Sequence, residues 1–586
     1  MWRLGVVGFF VILAFIGLGI RLSRLHLGSN EIYHERVNAV RHVEQPLRVG
    51  RGRILDRNGQ ILAMDLTVND VCVDPATILR EGYLNFIVSH LARSLQMDPA
   101  IVMQRVNRPA RRFECVRRGV PDDEVAPLKA LKLPSRMVWF APISKRHYPL
   151  GPRLCHAVGF TNTEGVGSMG VEQVLNRYLR GRPGVRVSQQ DGRGRELRGK
   201  RSLEIEGREG ADVYLTVDSR LQEMVETALE EALVEHSAIA AWAVVQKVQT
   251  GEILAIASRP AFDLNAYRDS TEEARRNRCL ATLFEPGSTF KVAVLASAFN
   301  EGLVKTDEVI DCENGLWMYR GKPLRDYSRH GLMNVPEVIK KSSNIGTAKI
   351  ALRMDPARME AYLRAFGFGR ATGINLPGEQ SGIFRSHASW SGLSQSRIAI
   401  GHEISTTALQ ILNAVCAVAN KGCLMKPSII RRVVDANGGR LYEFQPEIVA
   451  RPIREDTARL MMTLLARVTE PGGTGARAAL AGYAVAGKTG TAQKPISGGY
   501  SDTLNFASFV GVLPAQDPQI GIIVVVDEPK PLRTGGAVAA PVFRKIAERA
   551  VRVLDIPAGL MPAATEFPSI PERLDEEDFY DSGTPM

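Results

Sequence analysis

The sequence predicts a mixed α/β (α+β) protein behind an N-terminal apolar helix, and three observations support this prediction. An unbroken run of apolar residues and glycine extends from Leu4 to Ile20. Strand-like segments occur at residues 213–257 and again at 483–526, with helical segments between them. Strands at both ends and helices in the middle predict one sheet that is assembled from distant parts of the chain and covered by helices on both faces.

Composition and charge narrow the class of protein. The chain has 586 residues, of which 45% are hydrophobic and 23% charged, as is typical of folded protein. The net charge of +11 is spread along the chain without a nucleic-acid motif, so no nucleic-acid partner is expected. The seven cysteines show no CxxC or histidine cluster, which argues against a metal site and favours free buried thiols. A disulfide between Cys416 and Cys423 is conceivable, and the sequence does not decide whether it forms.

The N-terminal run has about the minimum length of a membrane-spanning helix. Arg21 and Arg24 follow it where a small-residue cleavage site would stand, so we expect it to remain as an anchor. Arg3 and the amino terminus oppose these two charges, and charge alone therefore does not fix the orientation.

The remaining elements follow in order. The turn pair Asn58-Gly59 predicts a hairpin after Val49. Residues 191–211, rich in Gly, Arg and Glu, are predicted to form a linker. A strand at 213–217 leads to a helix that Asp218 or Ser219 caps. Further predicted elements are a hairpin at 239–257, strands at 483–492, 506–513 and 520–526, a closing helix at 542–553 and a disordered Pro-rich acidic tail from residue 557.

The segment Phe284–Lys291 carries the first sign of chemistry. Pro286 and Gly287 interrupt the chain before the apolar run that starts at Val292, so Ser288 is predicted in the first turn of a helix. Lys291 follows three residues later on the same face. A hydroxyl at a helix start, beside an amine that burial keeps neutral, forms a nucleophile with its base.

Two further motifs make this pattern specific. Ser342 and Asn344 form a Ser-x-Asn about 50 residues later, and Lys488-Thr489-Gly490 is followed by Thr491. Ser-x-x-Lys, Ser-x-Asn and Lys-Thr-Gly in this order are the signature of class A β-lactamases and penicillin-binding proteins.

With these motifs, the chain resembles the class B, monofunctional penicillin-binding proteins, which are peptidoglycan D,D-transpeptidases. The resemblance extends from the anchor to about residue 555. It includes Arg51–Gly59, Gly170-Val171-Glu172, Leu215–Asp218, Thr406–Gln410 and Ala419–Gly422. His156–Asn162, Asp527–Lys530 and Gly535–Phe543 are similar to the division-specific septal enzyme, and the elongation-specific enzyme is the alternative. A short segment before the anchor and the stretch Gly401–Ser405 depart from the family pattern.

The resemblance implies four regions: an anchor at 1–24, a dimerisation-type pedestal at 25–210, a transpeptidase domain with a central antiparallel sheet at 211–556, and a tail at 557–586. It places the bulk of the protein on the extracytoplasmic side of the cell membrane. Peptidoglycan stem peptides and β-lactams are the implied ligands, and no cofactor or metal is expected. Because no second catalytic domain is apparent, a separate glycan polymerase and other division proteins are the implied partners.

The resemblance also implies a role for each motif residue. Ser288 is the nucleophile, Lys291 its base, Ser342 a proton relay and Asn344 a ligand of the stem amide. Lys488, Thr489 and Thr491 bind the terminal carboxylate, Gly490 permits close approach of the substrate backbone, and the N–H groups of Ser288 and Thr491 form the oxyanion hole. A penicillin-recognising sensor without turnover and a β-lactamase are the competing interpretations. The anchor and the long preceding region argue against the β-lactamase.

Overall fold

The structure is a computed structural model that describes residues 2–27, 42–47, 49–190, 196–496 and 499–558. The chain divides into two compact units. The first contains the residues up to Arg51 together with Gly181–Gly210, and the second contains Gly52–Arg180 together with the residues from Ala211 onward. From residue 559 onward, the tail that is predicted to be disordered lies outside the described residues.

The first unit begins with the predicted apolar helix, which extends from Trp2 to Leu27. Among the described residues, it is the one helix whose length and composition suit a membrane span, over Trp2–Arg24. Its apolar side chains are exposed rather than packed in a protein core. An exposed apolar helix of this length is the kind of element that a lipid bilayer stabilises.

The first unit also contains a three-stranded antiparallel sheet of His42–Leu47, Gly184–Gln190 and Glu196–Ile205. The last strand corrects the prediction of a linker at 191–211. Arg186 lies opposite Glu204 in the ladder, and the two side chains form an ion pair of 2.7 Å. Strands held by cross-strand charge pairs lack apolar alternation, so their composition resembles that of a linker.

In the second unit, the part before residue 180 is built on the long strand Ile61–Val73. This strand pairs antiparallel with Glu114–Val120 and with Val138–His147. Alternate residues such as Val71 and Val73 face a core that short helices close. The helices of this part are Pro75–Arg80, Leu84–Ser94, Pro99–Val106, Asp122–Ala130, Cys155–Val158, Gly170–Val174 and Asn176–Leu179.

A seven-stranded mixed sheet joins this part to the rest of the second unit. The two-residue strand Ile54–Leu55 precedes the predicted Asn58-Gly59 turn and pairs in parallel with Asp212–Leu215. Asp212–Leu215 pairs on its other side with Ile430–Val434, which continues to Arg440–Glu443. The strand predicted at 213–217 therefore exists, but it belongs to this sheet and not to the central one.

The central sheet has five strands, all antiparallel, in the order Ile253–Arg259, Ala240–Lys247, Ile520–Asp527, Gly499–Leu513 and Ala486–Ile496. Both faces are apolar. Trp242, Val244 and Ile523 belong to one core, whereas Ala243 and Val524 belong to the other. The predicted fold class, with a sheet assembled from distant segments and helices on both faces, is confirmed.

Helices cover both faces of this sheet. Ser219–Glu235 and Ala539–Val553 pack on one face, and Ala408–Ala419, buried along its whole length, packs on the other. Asp218 caps the first of these helices, as predicted. The remaining helices are Glu272–Arg275, Arg278–Ala281, Lys291–Asn300, Val335–Lys341, Asn344–Ala351, Pro356–Ala365, Ser394–Ile398 and Glu455–Ala466. Short strands are Val309–Asp311, Leu316–Tyr319, Lys322–Arg325, Leu332–Asn334, Leu424–Met425 and Ile448–Ala450.

Candidate active site

Ser288 lies on a 3₁₀ turn, Gly287–Thr289, and the α-helix begins only at Lys291. This differs from the predicted position in the first helical turn. Gly287 has a φ of +54°, and its N–H donates a 3.3 Å hydrogen bond to the Gly401 carbonyl, which fixes the tighter turn. Ser288 is half-buried on a turn that precedes the helix of its neighbour Lys291.

Two glycines allow the chain to pack closely around this turn. A Cβ at Gly401 would lie 2.2 Å from the Gly287 oxygen. A Cβ at Gly490 would lie 2.3 Å from Ser508 Oγ and 2.9 Å from Thr289 Cγ2. Gly490 therefore brings the strand Ala486–Ile496 against the Ser288 turn, a packing reason that the sequence does not reveal.

Ser342 and Asn344 lie at a sharp break between two helices. Val335–Lys341 ends at Ser342, whose φ of +63° is left-handed, and the next helix starts at Asn344. The break brings both residues to Lys291. Its Nζ donates to the Ser342 carbonyl at 2.6 Å and to Asn344 Oδ1 at 2.7 Å, and it lies 3.4 Å from Ser342 Oγ.

Lys488 approaches the same hydroxyl from the central sheet. Its Nζ lies 2.7 Å from Ser342 Oγ, so that hydroxyl contacts the amines of Lys488 and Lys291. The structure thus brings together four predicted residues: Lys291, Ser342, Asn344 and Lys488. Among the hydrogen bonds of the described residues, none joins Ser288 Oγ to Lys291 Nζ. Catalytic hydrogen bonds of this kind often form only when substrate binds.

Both lysines are buried, at 1% exposure for Lys291 and 2% for Lys488. Burial lowers the pKa of Lys291 to about 7, while the negative charge of Asp326 opposes this shift. Burial, followed by the positive charge of Lys291, lowers the pKa of Lys488 well below its usual range. Because like charges this close destabilise each other, the pair carries fewer than two charges near neutral pH.

Asp326 is a site residue that sequence reasoning missed. Its carboxylate accepts from the Asn344 N–H, from the Ile345 N–H at 3.0 Å and from Ser343 Oγ at 2.6 Å. The side-chain amide of Asn344 also donates to the Arg325 carbonyl at 2.7 Å. Asp326 therefore caps the helix that carries Asn344 and orients that residue. It lies at the end of a short polar strand with no motif around it, so only the folded chain reveals its position.

The two threonines of the Lys488–Thr491 segment have different surroundings. Thr489 is buried, and its hydroxyl donates to Thr474 Oγ1 at 3.0 Å. Thr491 is exposed, and its hydroxyl accepts from the Gly535 N–H at 3.1 Å. Within the described chain, their strand pairs on one side only. The open edge can therefore accept an extended peptide, with Thr491 beside it.

A second group of side chains lies beside the Ser288 turn, where Gly401–Ser405 departs from the family pattern. Glu285 Oε1 accepts from the Glu403 N–H at 3.0 Å and from Tyr500 Oη at 2.9 Å, and burial raises the pKa of Glu285. The His402 ring lies 5.3 Å from the Tyr500 ring. Burial, then the charges of Arg397 and Lys291, lower the pKa of His402 to about 4. His402 is therefore a neutral ring at physiological pH.

Two family comparisons cover most of the chain. Residues 241–548 match the penicillin-binding protein transpeptidase domain, and residues 46–215 match the penicillin-binding protein dimerisation domain. The apolar helix Trp2–Leu27 lies before both matches.

Several curated relatives align along nearly the whole chain. The peptidoglycan D,D-transpeptidase FtsI of Escherichia coli is 31% identical over 559 residues, covering 95% of this chain and 92% of that protein. The probable peptidoglycan D,D-transpeptidase PenA of Neisseria meningitidis is 31% identical over 529 residues, covering 90% and 88%. The stage V sporulation protein D of Bacillus subtilis is 34% identical over 510 residues, covering 86% and 78%.

Solved structures of penicillin-binding proteins have a similar fold. Penicillin-binding protein 3 of Mycobacterium tuberculosis in complex with ampicillin superposes with a TM-score of 0.70 at 28% identity, covering 89% of this chain and 98% of that one. Penicillin-binding protein 2X of Streptococcus thermophilus gives a TM-score of 0.74 at 25% identity, covering 87% and 80%. The fold, the ordered motifs and the full-length relatives lead to one conclusion: this chain belongs to the class B penicillin-binding proteins and is an enzyme of the peptidoglycan D,D-transpeptidase type.

Proposed function

We propose that this protein cross-links peptidoglycan stem peptides through a covalent ester on Ser288. The observation that carries the proposal is the arrangement of two buried amines, those of Lys291 and Lys488, on the single hydroxyl of Ser342. Burial favours the neutral, basic form of an amine that has no acidic partner in contact. A hydroxyl between two amines can relay a proton from one amine to the other.

In the acylation step, Lys291 in its neutral form accepts the proton of Ser288 Oγ. The oxygen attacks the carbonyl carbon between the two terminal D-alanines of a stem peptide, and an ester forms as the peptide C–N bond breaks. Ser342 passes a proton to the nitrogen of the departing D-alanine. A lysine pKa of about 7 suits this work, because both protonation states of Lys291 are then available at neutral pH.

In the second step, an amine from a neighbouring stem attacks the ester. A new amide bond forms, Ser288 regains its proton, and the two stems are joined. We assign the terminal carboxylate of the donor to Lys488, Thr489 and Thr491, and the oxyanion hole to the N–H groups of Ser288 and Thr491. The exposure of the Thr491 hydroxyl at an open strand edge supports its part in this assignment. β-Lactams would acylate Ser288 in the same way.

The cellular role that we propose is septal cell-wall synthesis. The helix Trp2–Arg24 would anchor the protein by a single span, with the pedestal and the transpeptidase region outside the cytoplasm, beside a separate glycan polymerase and other division proteins. Similarity to FtsI along 95% of the chain supports this role. Similar identity to the stage V sporulation protein D of Bacillus subtilis supports a second candidate role in cell-wall synthesis. A role as an elongation enzyme is the further alternative.

The nucleophile is tested by labelling the full-length protein in membranes with a fluorescent penicillin. Ser288→Ala should remain folded and lose covalent labelling. Ser297→Ala is the matched control, because Ser297 lies buried in the following helix and its hydroxyl bonds to the Ala293 carbonyl of that helix. Persistent labelling of Ser288→Ala would assign the nucleophile to another residue.

Two further measurements separate the alternatives. Incubation with lipid-linked peptidoglycan precursor and a glycan polymerase should yield cross-linked stems, whereas a sensor would be acylated by penicillin and yield none. Depletion in cells should block division while the cells continue to lengthen, with the tagged protein at mid-cell. Rounded cells with label along the side wall would replace the septal role by the elongation role and leave the chemistry unchanged.

A further inference from the structure

Two cysteines of the pedestal face each other across neighbouring strands. Cys72 on Ile61–Val73 and Cys115 on Glu114–Val120 are register partners in the antiparallel ladder. Directly opposed residues in such a ladder project from the same face. The register of this ladder shifts between Val71 and Cys72, next to the pair. In a regular antiparallel ladder, the Cα atoms of directly opposed residues lie about 4.5 or 5.5 Å apart, depending on the type of pair. Both distances fall within the range of about 4.4–6.8 Å that a disulfide bridges.

The two thiols are close neighbours with unequal exposure. Cys72 is 2% exposed, whereas Cys115 is half-buried. Burial, then the electrostatic effect of the neighbouring Cys115 thiol, raise the pKa of Cys72 to about 12. Cys115 is therefore the thiol that a reagent in solution reaches first, and Cys72 is the partner held against it.

The other cysteines are placed differently. Cys279 Sγ contacts Ser258 Oγ and backbone carbonyls, and Cys312 Sγ contacts Ser343 Oγ and the Ile310 carbonyl. Cys416 and Cys423, which the sequence left open as a pair, are separate buried thiols. Among the described strand pairings, the Cys72–Cys115 register is the one that sets two thiols opposite each other.

We propose that Cys72 and Cys115 form an intramolecular disulfide when the protein meets a disulfide-containing oxidant. The Cys115 thiolate attacks one sulfur of the oxidant, forms a mixed disulfide and releases one thiolate. The Cys72 sulfur, as it loses its proton, then attacks the Cys115 sulfur and releases the second thiolate. The protein loses two protons and two electrons, and the oxidant takes them up to become two thiols.

The new bond would tie together the strands on which the pedestal is built. Residues 73–114 would become a closed loop that contains the helices Pro75–Arg80, Leu84–Ser94 and Pro99–Val106. Closing a loop of this length restricts the unfolded chain, so the oxidised protein should unfold at a higher temperature than the reduced protein. This inference concerns the pedestal and is independent of the transpeptidase chemistry.

The test uses the purified full-length protein in detergent, which is treated with oxidised glutathione and then with N-ethylmaleimide near neutral pH to block the remaining free thiols. Peptide mapping by mass spectrometry should recover a cross-linked peptide pair that contains Cys72 and Cys115 and is lighter by two hydrogens than the reduced pair. The unfolding temperature should rise on oxidation and return when dithiothreitol is added.

Two variants sharpen this result. Cys115→Ser should give neither the cross-link nor the rise in unfolding temperature, whereas Cys279→Ser, a change at a buried thiol without a thiol neighbour, should retain both. Three results would overturn the proposal. These are free thiols at both positions after oxidation of the wild-type protein, glutathione that stays attached to Cys115 without closure, and a cross-link through any other cysteine.

Discussion

Buried basic side chains have charged partners in the pedestal and uncharged partners in the active site. The side chain of Arg146 in the pedestal is 5% exposed, and its guanidinium contacts Glu172 Oε1 at 2.7 Å and Asp65 Oδ1 at 3.0 Å. In the active site, Lys291 and Lys488 are also buried, but their direct contacts are hydroxyl, carbonyl and amide oxygens.

The consequences are also opposite. Burial disfavours the charge of Arg146, yet Glu172 and Asp65 hold its pKa above the usual value. Burial lowers the pKa of both lysines, and among the described residues no carboxylate contacts either amine to restore it. The pedestal thus uses a buried charge to join strand and helix, whereas the active site leaves its amines ready to exchange protons at a cost in stability.

The largest expected effect comes from removing the base while keeping the charge. Lys291→Arg retains a cation that cannot lose its proton, so the rate constant for acylation by a fluorescent penicillin should fall by about 10²- to 10⁴-fold. Circular dichroism and thermal unfolding should confirm that the variant is folded. Acylation at a near wild-type rate would show that another group is the base.

The second prediction compares the two kinds of buried charge by their stability. Arg146→Met removes the guanidinium that contacts the carboxylates of Glu172 and Asp65, so the free energy of unfolding should fall by about 3–5 kcal/mol. Lys291→Met removes an amine that has no acidic partner in contact, so stability should be unchanged or higher. Urea unfolding of both variants measures the difference. Equal destabilisation would contradict the contrast between the two regions.

The third prediction concerns pH. The penicillin acylation rate should rise as pH increases through about 7, because Lys291 must be neutral to act as a base. Asp326→Asn removes a negative charge that favours protonated Lys291, so this rise should move to lower pH. Asp355→Asn is the matched control, since Asp355 caps Pro356–Ala365 through two backbone N–H groups. It should lower stability in a similar way without moving the pH profile.

Lys291 should also make the free energy of unfolding depend on pH, and its lowered pKa determines the direction of that dependence. The pKa of Lys291 is about 7 in the folded protein and near 10.5 when unperturbed. Between these values the unfolded chain binds more protons than the folded chain, so this group makes stability rise with pH over that window. Lys291→Met should remove this contribution, which urea unfolding at pH 7 and pH 9 would detect.

The smallest expected effect separates the two threonines. Thr491→Val should slow acylation by a carboxylate-bearing penicillin by about tenfold, as expected for one lost hydrogen bond to a charged group. Thr489→Val should slow this acylation less than Thr491→Val does, and it should lower the free energy of unfolding by about 1 kcal/mol, because its hydroxyl bonds to Thr474. Larger rate loss in Thr489→Val would assign the carboxylate to the buried hydroxyl.

The parts of the site that could be predicted are those with a local pattern. Lys291, Ser342 and Lys488 belong to short motifs, and the folded chain brings them together. Asp326 and Gly401 could not be predicted, because their roles come from contacts with residues distant in sequence. A carboxylate after a polar strand, or a glycine in a loop, has many uses, and only tertiary contacts select one.

The fold, like the site, can be predicted from the sequence only where a local pattern is present. The long apolar strands are evident from composition, so the central sheet is predictable from the sequence. The strand Glu196–Ile205 was predicted as part of a linker because its residues are mostly charged or small. The pairing of Ile54–Leu55 with Asp212–Leu215 cannot be predicted from the sequence, because a strand of two residues has no hydrophobic periodicity.

This last pairing bears on how the chain can be divided. A truncated protein that began at Ala211 would retain the motif residues but would lose the neighbour of Asp212–Leu215. The N–H and C=O groups that now face Ile54–Leu55 would lie at an open sheet edge, where a second molecule could pair with them. The isolated catalytic region should therefore tend to self-associate, and adding back residues 52–64 should restore a soluble monomer.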